Sequence, residues 1–518
     1  MVPAMDKDTR YDRQLRLWAA SGQSRLENSH ICLLNGTPTG SEILKNLILP
    51  GIGKFTIIDD RLVTKQDLSG NFFLQKKDLD TPIASAIQHN LKELNHEVEG
   101  SYIVKSIDQI LANEPESFWD QFNVVIVSDY ISHLKRLIDI LWLHEIPLLI
   151  VNSVGFYGSL NLIAPEINVI ETHDPSKLYD LRIDQPWPEL QEFSDSFDLD
   201  CLDNTEHSHV PYIVIFIKAL KQWKLQHNGQ SPVTYYEKTM FRSLIESMSR
   251  NIQLETNFIE AYTSYHRAFQ KTEIPNSIKP LLVASQEREL TASSSIFWIY
   301  IAALHNFIIR NNGLLPLSGK LPDMFSDTNN YIKLQKIYHK KALQDQNLFT
   351  QEVYFILESL GRSKEGISKD SIISFCKNVQ LLYVTTGSKY LSNDKLIEDL
   401  YQENENDGLG VYYGILTFNY FVDQFNRAPS LEDSEEFVNL FTDMFGQTKQ
   451  LPGSILNIFK EILSHNTRNY HNLCSLMGGI ASQEVLKLTT SQYIPLDNLF
   501  IFDGIKSTSE RFKIEPVV

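Results

Sequence analysis

The sequence predicts an α/β protein in which a doubly wound, Rossmann-like domain is interrupted by a large, mostly helical segment. Three observations support this fold class. A strand–helix–strand pattern fills residues 29–60, and two further apolar strands follow at 123–129 and 146–153. Helical patterns then dominate from about residue 170 to residue 460. A strand-like run finally returns at 498–504.

The strand–helix–strand unit begins with the apolar run SHICLLNG at 29–36, which ends in a glycine. The helix follows in GSEILKNLILPG at 40–51, where apolar residues recur at helical spacing until Pro50 and Gly51 end it. The apolar run KFTIIDD at 54–60 is the second strand. Two strands joined by one helix within about 30 residues predict parallel pairing.

The later elements follow the same periodicities. GFYGSLNLIAPE at 155–166 predicts one more strand. Helices are expected over 209–223, 294–310 and 327–346, and Asp327 suits the N-cap of the last.

The C-terminal region returns to the α/β pattern. A helix is predicted over 474–490, and its small residues Gly478, Gly479 and Ala481 would let it approach another backbone closely. The run NLFIFDG at 498–504 is strand-like.

The domain organisation follows from these patterns, because 518 residues exceed what one hydrophobic core ordinarily holds. We expect the N-terminal part of the α/β domain at 1–168, a helical insertion at 169–462 and the completion of the α/β domain at 463–518.

Composition excludes several classes of protein. Hydrophobic residues make up 42% and charged residues 21%, as in soluble globular proteins. The net charge of −17 disfavours nucleic acid as a partner, and most simply means a solvated acidic surface, although a basic protein partner would also suit it. No apolar run approaches the roughly 20 residues of a membrane span, and the N-terminus lacks the apolar core of a secretory signal.

The four cysteines are far apart and form no CxxC pair. This spacing argues against a disulfide framework or a cysteine zinc site, and it favours a reducing compartment. We therefore expect the cytoplasm or the nucleus.

The segment NGTPTG at 35–40 stands where a nucleotide-binding protein carries its glycine-rich loop. A working loop reads G-x-G-x-x-G, so that backbone amides can approach the phosphates. Only Gly36 and Gly40 are present here, and Pro38 has no amide hydrogen to donate. The loop therefore predicts a poor phosphate cradle but an adequate strand-to-helix turn.

Two longer stretches read YDRQLRLWAASGQSRLENSHICLLNG at 11–36 and GSEILKNLILPGIGKFTIIDD at 40–60. They resemble the ThiF/MoeB-like adenylation fold of the ubiquitin-like-protein-activating enzymes. More closely, the chain resembles the regulatory, non-cysteine subunits of heterodimeric neddylation-activating enzymes. The resemblance continues through DLSGNFFLQ, PWPEL, HSHVPYIVI, LPDMFSDTNNYIKLQKIY and GGIASQEVLK, and so covers nearly the whole chain.

The resemblance assigns a role to each position of the loop region. In catalytic subunits of the family the loop reads GAGGLG. Carried over without gaps, the first glycine becomes Asn35, and Thr37 and Pro38 take the place of later glycine-type positions. The first acid is kept as Asp59, whereas the ribose-binding acid becomes Arg61.

The cationic phosphate contacts of the family are also replaced. The family's arginine falls on Gly70, its glutamine on Asn71 and its lysine on Ile83. Asp129 still matches the magnesium-binding aspartate, but one carboxylate does not restore a site without those cations. The resemblance thus implies a degenerate pseudo-site, comprising Asn35, Gly36, Pro38, Gly40, Asp59 and Asp129. ATP and Mg²⁺ would then bind in a partner subunit, and this chain would hold no cofactor or metal.

The N-terminal segment TRYDRQLRLW predicts an amphipathic helix. Its apolar stripe is formed by Tyr11, Leu15 and Trp18. In the family, the arginine of the RQ pair reaches the ATP phosphates of the partner subunit. The resemblance therefore implies that Arg13 acts in trans, with Gln14 as a supporting contact, whereas Arg16 is expected in solvent.

The thiols of this chain are weak candidates for a thioester. Cys32 and Cys474 are expected to be buried and Cys376 to lie on a helix. Asp200 and Asp203 would raise the pKa of Cys201.

The pair His207 and His209 could begin a metal site, but no third ligand has suitable spacing. A structural role is therefore the preferred interpretation of both histidines.

We interpret the chain as a regulatory subunit that pairs with the catalytic subunit of a neddylation-activating enzyme. That partner would adenylate the C-terminal glycine of a Rub/Nedd-type ubiquitin-like modifier and then form the thioester. This chain would supply Arg13 and part of the modifier-binding groove. A neddylation-conjugating enzyme would bind transiently, and no nucleic acid or membrane is expected.

Three alternatives remain open. The chain could be the non-cysteine subunit of a SUMO-activating enzyme, although that subunit has a much shorter insertion. It could be a self-sufficient nucleotide-dependent oxidoreductase or adenylyltransferase, which the loop disfavours. It could also be a scaffold without a role in catalysis.

Overall fold

The computed structural model describes residues 7–174, 180–365, 367–402, 407–447, 449–465 and 470–515. The chain divides into two compact units. The first comprises Met1–Val169 together with Val384–Val518, and the second comprises Ile170–Tyr383.

Ten strands lie in the described ranges: β1 His30–Leu34, β2 Lys54–Ile58, β3 Glu99–Ile103, β4 Val124–Ser128, β5 Leu148–Val154, β6 Tyr157–Ile163, β7 Glu166–Val169, β8 Tyr383–Thr386, β9 Leu499–Asp503 and β10 Thr508–Phe512. Eight of them form one sheet of order β10-β9-β6-β5-β4-β1-β2-β3, while β7 and β8 pair separately. The five strands from β5 to β3 are parallel, and β6, β9 and β10 extend the sheet by antiparallel pairing.

Helices before the second unit are α1 Lys7–Glu27, α2 Pro38–Ile48, α3 Lys65–Gly70, α4 Ile83–Lys92, α5 Ile107–Asn113 and α6 Leu134–Leu143. The second unit contains α7 Pro188–Asp195, α8 Asn204–His207, α9 Tyr212–Gln226, α10 Tyr235–Ser247, α11 Thr256–Thr263, α12 Lys279–Glu287, α13 Ile296–Arg310, α14 Thr328–Ser359 and α15 Lys369–Asn378. The first unit resumes with α16 Asp394–Leu400, α17 Asp407–Phe425, α18 Ser434–Phe445, α19 Gly453–Ser464 and α20 His471–Thr490. No described helix combines the length and apolar character that a bilayer-spanning segment needs.

The α/β fold class predicted from the sequence is confirmed, and each predicted strand and helix is present. Asp327 is the N-cap of α14, because its carboxylate accepts a hydrogen bond from the Asn330 amide at 2.9 Å. That helix continues to Ser359, beyond the predicted end at residue 346.

Helix α20 packs closely on helix α2 because Gly478 has no side chain. A Cβ atom at Gly478 would lie 2.6 Å from Glu42 Cβ and 3.2 Å from the backbone of Ile43. Glu42 is buried there, and its carboxylate accepts a hydrogen bond from Ser475 Oγ at 2.9 Å. The predicted close approach therefore falls on Gly478, whereas Gly479 has open space around it.

The boundary of the helical insertion differs from the expected one on its C-terminal side. The second unit ends at Tyr383 rather than near residue 462, and helices α16 to α19 belong to the first unit. Their apolar side chains share one core with Tyr157 of β6 and Ile501 of β9. Asn161 of β6 also donates a hydrogen bond to the hydroxyl of Tyr412 at 2.9 Å. Helical periodicity gives no indication of which core a helix joins.

The second unit has a separate aromatic core. Residues of α9, α10, α11 and α14 meet there, among them Phe216, Phe241, Phe258 and Tyr338. The hydroxyl of the fully buried Tyr338 donates to the carbonyl of Leu181 at 2.5 Å, which satisfies a polar group that burial would otherwise penalise.

We predict opposite effects of adding one methyl group at two adjacent glycines of α20. Gly478→Ala forces the added carbon against α2 and should destabilise the protein by about 1–2 kcal/mol, since overpacking outweighs the gain in helix propensity. Gly479→Ala meets no atom within 4 Å and should be neutral or stabilising. Urea unfolding measures the change in the free energy of unfolding for each variant. Equal changes in the two variants would contradict the close packing of α20 on α2 at Gly478.

Candidate functional site

The candidate site is a crevice in the first unit, at the carboxyl ends of β1, β2, β4 and β5. Ligands of doubly wound sheets bind at this edge, where neighbouring crossovers leave on opposite faces. A cavity of about 680 Å³ lies there, between the strand ends and residues of helix α17.

Asp59, at the end of β2, is buried and accepts four hydrogen bonds. The amides of Gly36 and Arg61 donate to its carboxylate at 2.8 and 2.9 Å. The Arg61 guanidinium donates twice, from Nε to Oδ1 at 3.1 Å and from Nη2 to Oδ2 at 2.7 Å. The charge of Arg61 is therefore neutralised within the chain by a bidentate pair.

The loop after β1 is held by its own side chains. Asn35 has a left-handed backbone (φ 72°), which Asn tolerates better than most residues. Its side-chain amide donates to the carbonyls of Ser128 and Tyr130 at 3.2 and 2.6 Å, and so ties the end of β1 to the end of β4.

The N-terminus of helix α2 offers few free donors to a phosphate. Thr37 is the N-cap, and its hydroxyl accepts from the Gly40 amide at 3.1 Å. Pro38 is the first helical residue, a position that suits proline because its missing amide hydrogen would be unsatisfied there anyway. The Gly36 amide is bonded to Asp59 and so is not available to a phosphate.

The positions of the family's phosphate contacts carry residues that are part of the fold. Gly70 is the last residue of α3, and Asn71 is buried and donates to Ser41 Oγ at 2.9 Å. Ile83 begins α4 and is fully buried in the main apolar core. None of the three carries a cationic side chain.

The charges that line the cavity are mostly acidic. Among the described lining residues, the lysine and arginine side chains are those of Arg61 and Lys105. Lys105 pairs with Glu114 at 2.8 Å. The acids Asp60, Asp108 and Asp129 also line the space, so a triphosphate would meet carboxylates and no unpaired lysine or arginine.

Asp129, at the end of β4, has a left-handed backbone (φ 61°). Its Oδ1 accepts from the Ser153 amide at 2.9 Å, while its Oδ2 is buried without a hydrogen-bond partner. Burial raises the pKa of Asp129 to about 6. Among the described residues, no cluster of three or more His, Cys, Asp or Glu side chains could hold a metal ion. Asp129 alone, with Asp59 paired to Arg61, does not fit a magnesium–nucleotide complex.

Helix α1 is anchored at several points along its length. Trp18 is buried and donates from Nε1 to Gln23 Oε1 at 3.0 Å, and Gln23 in turn donates to the carbonyl of Pro50 at 3.2 Å. The hydroxyl of the buried Tyr11 donates to Glu97 at 3.2 Å. The chain bends at Ala19, whose φ is 56°.

The side chain of Arg13 is exposed on this anchored helix, and it makes no ion pair within the described ranges. Gln14 is half-buried, and its Oε1 has no hydrogen-bond partner there. Arg16 is exposed and pairs with Asp12 at 2.9 Å. Their roles toward a partner's ATP stay predictions.

The sequence indicated that Arg61 replaces the ribose-binding acid of the family. It did not indicate that Arg61 neutralises Asp59. It also missed the Asn35 bridge and the pairing of Lys105 with Glu114. The Asp-x-Arg spacing directly after a strand could have indicated the pair of Asp59 and Arg61. The Asn35 bridge and the Lys105–Glu114 pair depend on neighbours in the tertiary structure.

The cysteines are all free thiols. Burial raises the pKa values of Cys32, Cys376 and Cys474, the last to about 12. Cys201 is exposed and its pKa is raised as expected, but the main cause is a hydrogen bond to Asp198. The expected neighbour Asp203 instead caps helix α8.

The two histidines have different surroundings. His207 is buried, bonds through Nδ1 to Glu255 at 2.5 Å and stacks on Phe258. His209 bonds to the carbonyl of Thr205 at 2.7 Å. Both side chains hold local structure in the second unit.

Comparison with known proteins identifies the class. The model of the ThiF family matches residues 11–517, and the chain belongs to this family. A NEDD8-activating enzyme E1 regulatory subunit from Xenopus laevis is 36% identical over 529 residues, covering 98% of this chain and 99% of its own length. Proteins of the same name from Danio rerio and Drosophila melanogaster are each 34% identical, covering 99% and 98% of this chain and 99% and 98% of their own lengths. Within the ThiF family, the chain belongs to the NEDD8-activating enzyme E1 regulatory subunits.

We predict that Asp129→Asn stabilises the protein in a pH-dependent way. The folded pKa of Asp129 lies near 6, above its ordinary value of 3.8, so the wild-type protein loses stability as pH rises through this window. The advantage of the variant should grow between pH 4 and pH 7 by at most about 3 kcal/mol. Asn also tolerates the left-handed backbone at this position, and this contribution to the free energy of unfolding does not depend on pH. Chemical denaturation of both proteins across this pH range tests the prediction. A difference in the free energy of unfolding that does not change with pH would contradict burial of the Asp129 charge.

Proposed function

We propose that this chain is the regulatory subunit of an activating enzyme for the ubiquitin-like modifier NEDD8, and that it works as a heterodimer with a catalytic subunit. The observation that carries the proposal is the crevice, in which the amides of Gly36 and Gly40 and both lining cations, Arg61 and Lys105, are already bonded within the chain. Similarity to regulatory subunits over nearly the whole chain supports it.

In this proposal the catalytic subunit adenylates the C-terminal glycine of the modifier with ATP and Mg²⁺, and then forms a thioester on its own cysteine. Two features of this chain agree with that division of labour. Asp60 and Asp129 line its crevice without an ion pair in the described chain, whereas the cations Arg61 and Lys105 are both paired. Three of its four thiols are buried, and an acid raises the pKa of the exposed one.

Arg13 is the residue through which this chain would enter the reaction. It is exposed, has no partner in the described chain and lies on a helix held at Tyr11 and Trp18. A guanidinium presented from a fixed helix can stabilise charge on a neighbouring subunit's phosphates as pyrophosphate leaves. Gln14 would support this contact.

The remaining partners follow from the same proposal. The chain would contribute part of the groove that holds the modifier, and a neddylation-conjugating enzyme would bind transiently. Four free thiols support the cytoplasm or nucleus as its compartment. The name shared by the curated relatives does not favour the alternative of a SUMO-activating subunit.

We predict that Arg13→Ala slows NEDD8-dependent pyrophosphate exchange by the assembled heterodimer at least about tenfold, because charge on the partner's phosphates loses a cationic contact. The matched control is Arg16→Ala, which removes an exposed arginine of the same helix that pairs with Asp12. The control should leave the exchange rate within about twofold, as is usual for surface ion pairs.

Size-exclusion chromatography of both variants with the catalytic subunit separates loss of assembly from loss of chemistry. If the heterodimer forms and Arg13→Ala exchanges pyrophosphate at the wild-type rate, the chain acts as a scaffold and the role of Arg13 is wrong.

A further inference from the structure

The second unit contains an arginine whose guanidinium has no counter-ion. Arg242 of helix α10 is half-buried, and its Nε is buried without a hydrogen-bond partner. Within the described ranges it makes no ion pair and no hydrogen bond. Because a partly buried cation normally has a partner, this arrangement calls for a ligand.

Other arginines of this unit show the usual behaviour. Arg182 pairs with Asp180 at 3.1 Å and Arg310 pairs with Glu352 at 2.5 Å. Arg250 donates to the carbonyl of Leu202 at 2.6 Å. Arg242, which makes no ion pair and no hydrogen bond in the described chain, is therefore a local exception.

The guanidinium of Arg242 is held in place by aromatic rings. Its Cζ lies 3.9 Å from the ring centre of Tyr262, at the end of α11, and 5.5 Å from that of Tyr265. Stacking on a ring orients the planar guanidinium and does not use its N–H donors. The cation is thus preorganised without being neutralised.

A second cation lies one turn earlier on the same face of α10. Lys238 Nζ is 5.5 Å from the ring centre of Phe269, and Phe269 contacts Tyr265 at 6.1 Å. Two cations four residues apart thus stand over one aromatic platform. Glu246, one turn after Arg242, is exposed and makes no ion pair with it in the described chain.

Exposed apolar side chains border this platform. Ile259 lies one turn before Tyr262 on α11 and is 40% exposed, and Tyr235 lies one turn before Lys238 on α10 and is 86% exposed. Arg and Tyr with adjoining apolar groups form the composition of an interface hot spot.

We propose that Arg242, Lys238 and the rings of Tyr262 and Tyr265 bind a carboxylate side chain in an acidic, apolar segment of a partner protein. The planar fork matches the two oxygens of a carboxylate. The net charge of −17 disfavours a polyanion such as nucleic acid, whereas a short acidic segment between apolar residues gains from the neighbouring exposed side chains. This site stands independently of the proposed function.

The test uses the full chain and the fluorescein-labelled peptide Gly-Glu-Phe-Asp-Glu-Leu-Gly, with a matched peptide in which Gln and Asn replace the acids. Fluorescence polarisation should show binding of the acidic peptide and at least about tenfold weaker binding of the neutral one. Arg242→Gln should weaken binding of the acidic peptide at least about tenfold. Arg242→Lys should fall in between, because it keeps the charge and loses the fork.

The matched control is Arg288→Gln, which removes an arginine that also stacks on a ring, that of Trp298 at 4.1 Å. It should change the affinity by no more than about twofold. Arg242→Gln should also keep or raise the melting temperature, since it removes an unpaired, partly buried charge.

Several outcomes would overturn the site: no binding of the acidic peptide, equal binding of the neutral peptide, equal losses in Arg242→Gln and Arg288→Gln, or wild-type affinity in Arg242→Gln. Displacement of the peptide by inorganic phosphate at lower concentration than by acetate would overturn the assignment to a carboxylate.

Discussion

The bidentate pair between Asp59 and Arg61 is the interaction on which the character of the crevice depends. A buried carboxylate at the end of β2 needs a cation or several donors, and here it takes the Arg61 side chain together with the amides of Gly36 and Arg61. The same carboxylate binds both the guanidinium of Arg61 and the amide of Gly36, so neither is available to a phosphate. With Lys105 bound to Glu114, the described lining of the cavity offers no unpaired lysine or arginine.

The residues at these positions also contribute to the fold itself. Asn35 bridges β1 and β4, Thr37 and Pro38 begin α2, and Ile83 joins the apolar core. We therefore propose that the α/β unit was kept as a rigid support that presents helix α1, and with it Arg13, to a second subunit.

The sequence predicted the strands, helices and fold class well, because apolar periodicity and the turn residues near Pro50 report local structure directly. It could not assign helices α16 to α19 to a unit, since an apolar helix carries no sign of which core it enters. In the site, the residue types alone indicated that Gly70 and Ile83 stand where the family has an arginine and a lysine. The sequence did not indicate the bridge from Asn35 or the unpaired guanidinium of Arg242, because each depends on neighbours distant in sequence. It also did not show that Arg61 turns back onto Asp59.

Binding of Mg²⁺–ATP to the isolated full-length chain tests most directly whether the crevice has lost its affinity for a triphosphate. Isothermal titration calorimetry should detect no binding of ATP at concentrations up to about 1 mM, which corresponds to a binding free energy weaker than about −4 kcal/mol. Saturable binding with a dissociation constant near 1 µM, about −8 kcal/mol, would mean that the paired charges yield to the nucleotide and that this chain has an ATP site of its own.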